Sequence, residues 1–320
     1  MKRRRNRAVV VTVTIALVLG VGGAAMAAFG ATTTNTGDRV VAAADWEPPH
    51  VTRTVIAKTV GYLTGKIGPG SQFYVYAQID DGGNPAAGVG SATADVSAFS
   101  IGGATVAMNA GGFSAGGVLY NYRSAARTAI APMANGTRTY SLTMVDLAVP
   151  PHSQTESGFM VVVDGTGPAP VDMTSANRPG GTVGRAEQGD SITYTWTEPI
   201  DPGSLVPGWN GGSPTSVTVR LVNNGGGDQV RIRGSNGNLD FGTVFLQQNY
   251  VSGAGDFDGS SITMLGNSVT IVLGAQSGTT RLVTLATPTT WQASTGAFDA
   301  AGNACSNATV TGSGSPRIDF

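Results

Sequence analysis

Gly112-Phe113-Ser114-Ala115-Gly116 has the spacing of a nucleophile elbow, and Asp146 and then His152 follow it in the chain order of an α/β hydrolase. That chemistry needs Ser114 on a sharp turn between a strand and a helix, with a base in hydrogen-bond reach. The segment lies instead among glycine-broken strands with no helical pattern after it. In a chain with 47 glycines such a match is expected by chance. Gly61-Tyr62-Leu63-Thr64-Gly65-Lys66-Ile67 is one residue short of a phosphate-binding loop and lacks the hydroxyl residue that would meet magnesium. The pairs Asp256/Asp258 and Glu187/Asp190 fall in predicted turns, where aspartate caps its own backbone. His50 and His152 stand beside prolines and are expected on the surface. No catalytic residue and no cofactor-binding residue is assigned, and the chain is read as a non-enzyme.

Calcium is the one ion the residue types suggest. Asp80, Asp81, Asn84, Asp146 and Asp164 fall at predicted strand ends, where one pole of a sandwich would gather their oxygens. Turn capping is the competing reading of the same residues, so no metal site is assigned. Two aromatic sets, Tyr120, Tyr122 and Tyr140, and Trp196, Trp209 and Trp291, have the chemistry to stack on sugar rings. In alternating strands such rings usually fill a core. Trp46 and Trp209, close to prolines and outside clear strands, are the better surface candidates. Cys305 is the only cysteine, so it forms no intramolecular disulfide and assembles no thiolate cluster. It is expected either to pack as a small hydrophobe or, if exposed, to pair between molecules.

The elements that must position these residues are strands. After Asp45 the chain alternates apolar and polar residues over four to eight positions and then breaks at Gly, Pro, Asn or Asp. Strands are predicted at 51–57, 72–79, 91–99, 105–108, 117–122, 137–145 and 158–163, the arithmetic of an Ig-like sandwich. A second series is predicted at 191–196, 216–221, 229–233, 242–246, 261–265, 268–273, 280–285 and 308–311. Asn223 to Asp228 and Ser235 to Leu239 read as Asn/Gly hairpin turns. The fold expected is all-β, two tandem Ig-like β-sandwich domains after a signal-peptide helix. The domains are placed at 49–165 and 166–320, divided at the Gly/Pro stretch Gly165 to Pro170, where a sheet cannot continue.

The first 45 residues decide the compartment. Lys2-Arg3-Arg4-Arg5-Asn6-Arg7 precedes an apolar run from Ala8 to Phe29, and Ala25-Met26-Ala27 supplies the small residues a signal peptidase requires. A signal peptide over 1–27 is expected, cut between Ala27 and Ala28, followed by an extended mature segment 28–48. An uncleaved anchor is the alternative, since about 20 apolar residues can span a bilayer. Removal of the leader leaves about 290 residues, room for two domains at roughly 100–150 each. With 12% charged and 41% hydrophobic residues the chain is ordered, and no basic cluster outlasts the leader, so nucleic acid is not an expected partner.

Gly22-Gly23-Ala24-Ala25-Met26-Ala27-Ala28-Phe29, followed by Thr34-Asn35-Thr36-Gly37-Asp38, resembles the leader of TasA and camelysin-type exported proteins. The resemblance implies a SipW-like signal peptidase as processing partner, export in a Gram-positive bacterium and a surface or matrix destination. It covers about forty residues and not the body. Residues 74–89, 139–146 and 159–168 are similar to strands and turns of bacterial Ig-like domains, and so are Ile192 to Leu205 and Phe298-Asp299-Ala300-Ala301-Gly302-Asn303. Gly165-Thr166-Gly167-Pro168 and Leu147-Ala148-Val149-Pro150 depart from that pattern. The function expected is non-catalytic: a secreted, extracellular cell-surface or matrix protein with a structural or adhesive role. Its partners would be other surface or matrix proteins or copies of itself, joined by strand addition through Ala28 to Asp45. The alternative is a glycan- or peptide-binding module, with cell-wall glycan as a partner.

Overall fold

A computed structural model describes residues 45–320 apart from Ser213 and Pro316. The leader, its cleavage residues Ala25, Ala27 and Ala28, and most of the segment 28–48 lie outside the described residues.

The described chain is almost entirely β, as the alternation predicts, in two sheets that each curl into a sandwich- or barrel-like body. The first sheet contains β1 (His50–Lys58), β2 (Lys66–Ile67), β3 (Gln72–Asp80), β4 (Val89–Asp95), β5 (Val106–Ala115), β6 (Val118–Ser124), β7 (Arg127–Thr128), β8 (Gly136–Asp146) and β9 (Ser153–Val163). Its order is β1-β3-β6-β5-β4-β8-β9-β2, with β7 beside β3. The second contains β10 (Pro170–Ala176), β11 (Ser191–Trp196), the one-turn helix α1 (Pro202–Leu205), β12 (Thr215–Val222), β13 (Gln229–Gly234), β14 (Gly237–Asn238), β15 (Thr243–Phe245), β16 (Gly255–Leu265), β17 (Ser268–Val272), β18 (Ala275–Ser277), β19 (Thr290–Gln292) and β20 (Thr309–Thr311). Its order is β10-β11-β17-β16-β12-β13-β15-β19-β20.

Period-two patterning builds each core. In β3, Phe73, Val75, Ala77 and Ile79 point into the first core, while Tyr76 faces the other way and packs with Tyr120 and Ala57. The second core is aromatic at its centre, with Tyr194 and Trp196 5.1 and 5.2 Å from Trp291, ring centre to ring centre. Trp291 Nε1 donates to Phe241 O at 2.7 Å, which satisfies the indole in a dry core. Cys305 is buried there too, and desolvation pushes its thiol pKa up, so it packs as a hydrophobe.

Several elements differ from the sequence reading. Trp209 is not a surface ring: a turn from its N–H to Val206 O, just after α1, folds it into the second core. Thr280–Leu285 forms a single bridge, Val251 to Thr280, rather than a strand. Pro170 opens β10 instead of ending a linker; a proline at a strand's first position sacrifices no ladder bond. Gly111-Gly112 marks a bulge inside a longer β5, not its end, and the register shifts between Ala110 and Phe113.

Candidate functional site

The densest polar arrangement lies where the two bodies meet. β1 ends in three buried residues, Ile56, Ala57 and Lys58. Alternation would send Lys58 to solvent on one side, but the second body covers it. Asp201 caps α1 by accepting from Gly203 N at 2.9 Å, and so is fixed before it contacts anything else. Lys58 Nζ donates to Asp201 Oδ2 at 2.5 Å, to Leu63 O at 3.1 Å and to Ala300 O at 3.0 Å. Three protons thus meet three acceptors. Asp201 also accepts from Tyr62 N and Leu63 N, both at 2.9 Å. The side chains of this pair are 3% and 0% exposed. A buried ion pair is tolerated only when its remaining bonds are made, and here they are.

A second contact lies beside it. The Asn303 amide donates from Nδ2 to Asp164 O at 2.8 Å, Thr166 O at 3.1 Å and Asp299 Oδ2 at 2.9 Å. Gly68 N donates to Ala301 O at 2.8 Å. The 165–170 stretch is thereby pinned on both sides.

Asp164, Glu198 and Asp299 place carboxylate oxygens within 4.8 Å of one another, and among the described residues they are the set best placed to hold a hard cation. Most of their demand is already met. Asp299 accepts from Ala301 N and Asn303 N, Asp164 accepts from Thr166 N, and Lys66 stands 3.4 Å from Asp164. The Asn303 amide meets one member of the set, the Asp299 carboxylate, and otherwise the backbone oxygens of Asp164 and Thr166. Glu198 is left with a pKa above its ordinary value, raised by burial and by Asp299 and Asp164 and partly offset by Lys66.

The residues weighed for calcium do not share a pole. β8 runs from Gly136, opposite Val163, to Asp146, opposite Val89, a span of about 35 Å at roughly 3.3 Å per residue. Asp164, following β9, therefore exits at the joint, while Asp80, Asp81, Asn84 and Asp146 sit at the far pole. There Asp81 and Asp146 each close their own loop. Asp81 accepts from Gly88 N at 2.5 Å around the turn that holds Asn84, and Asp80 lies exposed opposite His50. Asp146 accepts from Ala148 N at 3.1 Å and from His152 N at 2.7 Å, and its Oδ2 meets His152 Nδ1 at 2.7 Å. Burial pushes the Asp146 carboxyl up, but these bonds outweigh it and hold the pKa below its ordinary value.

Ser114 is at the wrong end for a triad with this pair. It lies near the tip of the β5–β6 hairpin, where Gly116 and Gly117 abut Thr64 and Tyr62 at the joint. The aromatic sets are core rather than surface: Tyr140 is buried, its pKa pushed up to about 12, Tyr120 is buried, Tyr122 packs at the core edge, and Trp196 and Trp291 are fully buried. Trp46 alone of these is open to solvent, at 76% exposure.

The chain matches no family model, no curated protein and no solved structure. Sequence reasoning did not single out Lys58, Asp201, Glu198, Asp299 or Asn303 as site residues. The local signals were Asp201-Pro202-Gly203, a helix start with Asp as cap and Pro at the first position, and the Phe298 to Asn303 turn that carries Asp299 and Asn303. Nothing local marks Lys58 as the partner of Asp201, 143 residues earlier.

Proposed function

We propose that this chain is an exported, non-catalytic protein of a bacterial cell surface or extracellular matrix, with a structural or adhesive role. The observation that supports it best is the joint. Lys58–Asp201 and the Asn303 amide replace a free linker with buried bonds between two bodies, which suits a spacer that holds a fixed reach and carries load. Export through a SipW-like peptidase, with release or retention at the surface, belongs to this proposal, as does assembly by strand addition. Among the described strands β1 forms a ladder only with β3, so its other edge keeps backbone groups outside any ladder, with β9 lying against it; strand addition there requires that seam to part. Glu156, accepting from Val51 N at 2.8 Å, bridges it at one point. In sequence the segment 28–44 precedes β1, and its residues Thr32-Thr33-Thr34 and Val40-Val41 have extended-prone residue types.

Intact mass and N-terminal sequencing of protein from culture medium and washed cells, with negative-stain imaging of both fractions, test this. A chain starting near Ala28 and seen in filaments is the expected result. Cleaved monomers in the medium would overturn the matrix role, and filaments persisting after deletion of 28–44 would overturn strand addition.

A further inference from the structure

The outer face of the second body carries a charge arrangement that folding does not favour. Arg220 on β12 and Arg231 on β13 are direct cross-strand partners, which sets two like charges on Cβ atoms about 5 Å apart, a destabilising pair. Arg233 follows two residues along β13 on the same face, about 7 Å away. The carboxylates of this face lie on the other side of β12. Asp256 on β16 is opposite Arg220 and 3.7 Å from its Nε, and Asp258 accepts from Thr218 Oγ1 at 2.9 Å. Among the described residues no carboxylate oxygen comes within 4.0 Å of Arg231 or Arg233. Arg231 bonds only the neutral Gln229 side chain, at 3.1 Å.

What surrounds these arginines is neutral and hydrogen-bonding. Gln229 is opposite Phe245 on β15, a half-buried ring on the same outer face, and Thr243 is opposite Gln292 on β19. The face therefore offers guanidiniums in excess of carboxylates, then amides, hydroxyls and one aromatic surface.

We propose that this face binds an acidic polysaccharide. Arg231 and Arg233, with Arg220 beside them, grip anionic groups spaced along the polymer, since a guanidinium meets carboxylate or phosphate through paired hydrogen bonds. Gln229 and Gln292 bond sugar hydroxyls, and Phe245 supports a sugar ring. An extended acidic peptide fits less well, because peptides add to a strand edge and β13 already has β12 and β15 on its two sides. A uronate polymer and a phosphodiester-linked wall polymer share this chemistry. The proposal stands apart from the joint: the face binds whether or not the two bodies are coupled.

Titration calorimetry of the full chain against a uronic-acid oligomer, a phosphodiester-linked glycan and neutral dextran, at low and high salt, tests it. Saturable binding to the uronate or to the phosphodiester polymer supports the proposal and identifies the anion. Affinity is expected to fall about tenfold or more in Arg231→Gln/Arg233→Gln, to fall by less in Arg231→Lys, which keeps the charge but loses the paired bonds, and to weaken with salt. Arg53→Gln, which removes a guanidinium from the first body, should leave it unchanged. The idea is overturned if neither polyanion binds saturably, if dextran binds equally well, or if Arg53→Gln costs as much as the double variant. These side chains face outward, so circular dichroism should show every variant folded; were the double variant to unfold, Arg233→Gln alone, with a loss of several-fold, carries the same test.

Discussion

The two poles of the first body use the same residue types for opposite ends. At the far pole Asp81 and Asp146 accept hydrogen bonds from Gly88, Ala148 and His152, all within seven residues of themselves. At the joint, Asp201 is held by Lys58, Tyr62 and Leu63, across 138 to 143 residues of chain. A carboxylate at a strand end is thus a local cap or a long-range fastener depending on which body it meets. Only the second kind couples the two halves of the molecule.

Substitutions should separate the two kinds. Asp201→Ala leaves the Lys58 ammonium buried without its counter-charge and strips three backbone N–H groups, of Tyr62, Leu63 and Gly203, of their acceptor, an expected loss of about 3–5 kcal/mol, read as the largest fall in a denaturation midpoint of any change considered. Lys58→Met keeps the bonds from Tyr62, Leu63 and Gly203 to Asp201, and its cost should be clearly smaller in the same assay. Asn303→Ala, which frees the 165–170 stretch, should cost about 1–3 kcal/mol and raise hydrogen exchange there. Asp146→Ala should raise exchange in residues 147–152 and leave the joint untouched; a change at residues 58–66 would refute the separation.

Acidity should act on the poles with opposite signs. Glu198 has a raised carboxyl pKa, so the stability it contributes is full below its ordinary value of 4.5 and is lost as pH rises through the higher folded value. Asp146 has a lowered pKa, so its contribution is present above its ordinary 3.8 and is lost as pH falls through the folded value. Protection factors, taken relative to intrinsic exchange at each pH, should rise slightly around Glu198 as pH falls toward its ordinary 4.5, and drop in the 147–152 loop only as pH falls below the ordinary 3.8 of Asp146. Loss of protection at both poles together would contradict this.

The fold was largely legible because alternation reports one buried face per strand. Ser191–Trp196 was bounded correctly, and β1, β3, β8, β12 and β13 to within a residue or two. β9 was started too late because its first half, Ser153-Gln154-Thr155-Glu156, is polar on both faces. β19 was missed because Thr290-Trp291-Gln292 gives only one buried residue to read. The joint was illegible for a different reason. Lys58 reads as an ordinary strand-end lysine and Asp201 as an ordinary cap, and only the fold brings Leu63 and Ala300 to the lysine's remaining protons. Chemistry that depends on contacts 140 residues apart leaves no local pattern.

Differential scanning calorimetry of the full chain tests the coupling most directly. With Lys58, Asp201 and Asn303 in place, the two bodies should melt in one transition whose calorimetric and van't Hoff enthalpies agree, and Asp201→Ala should split it into two. Two resolved transitions in the unaltered protein would mean that the joint does not couple the bodies.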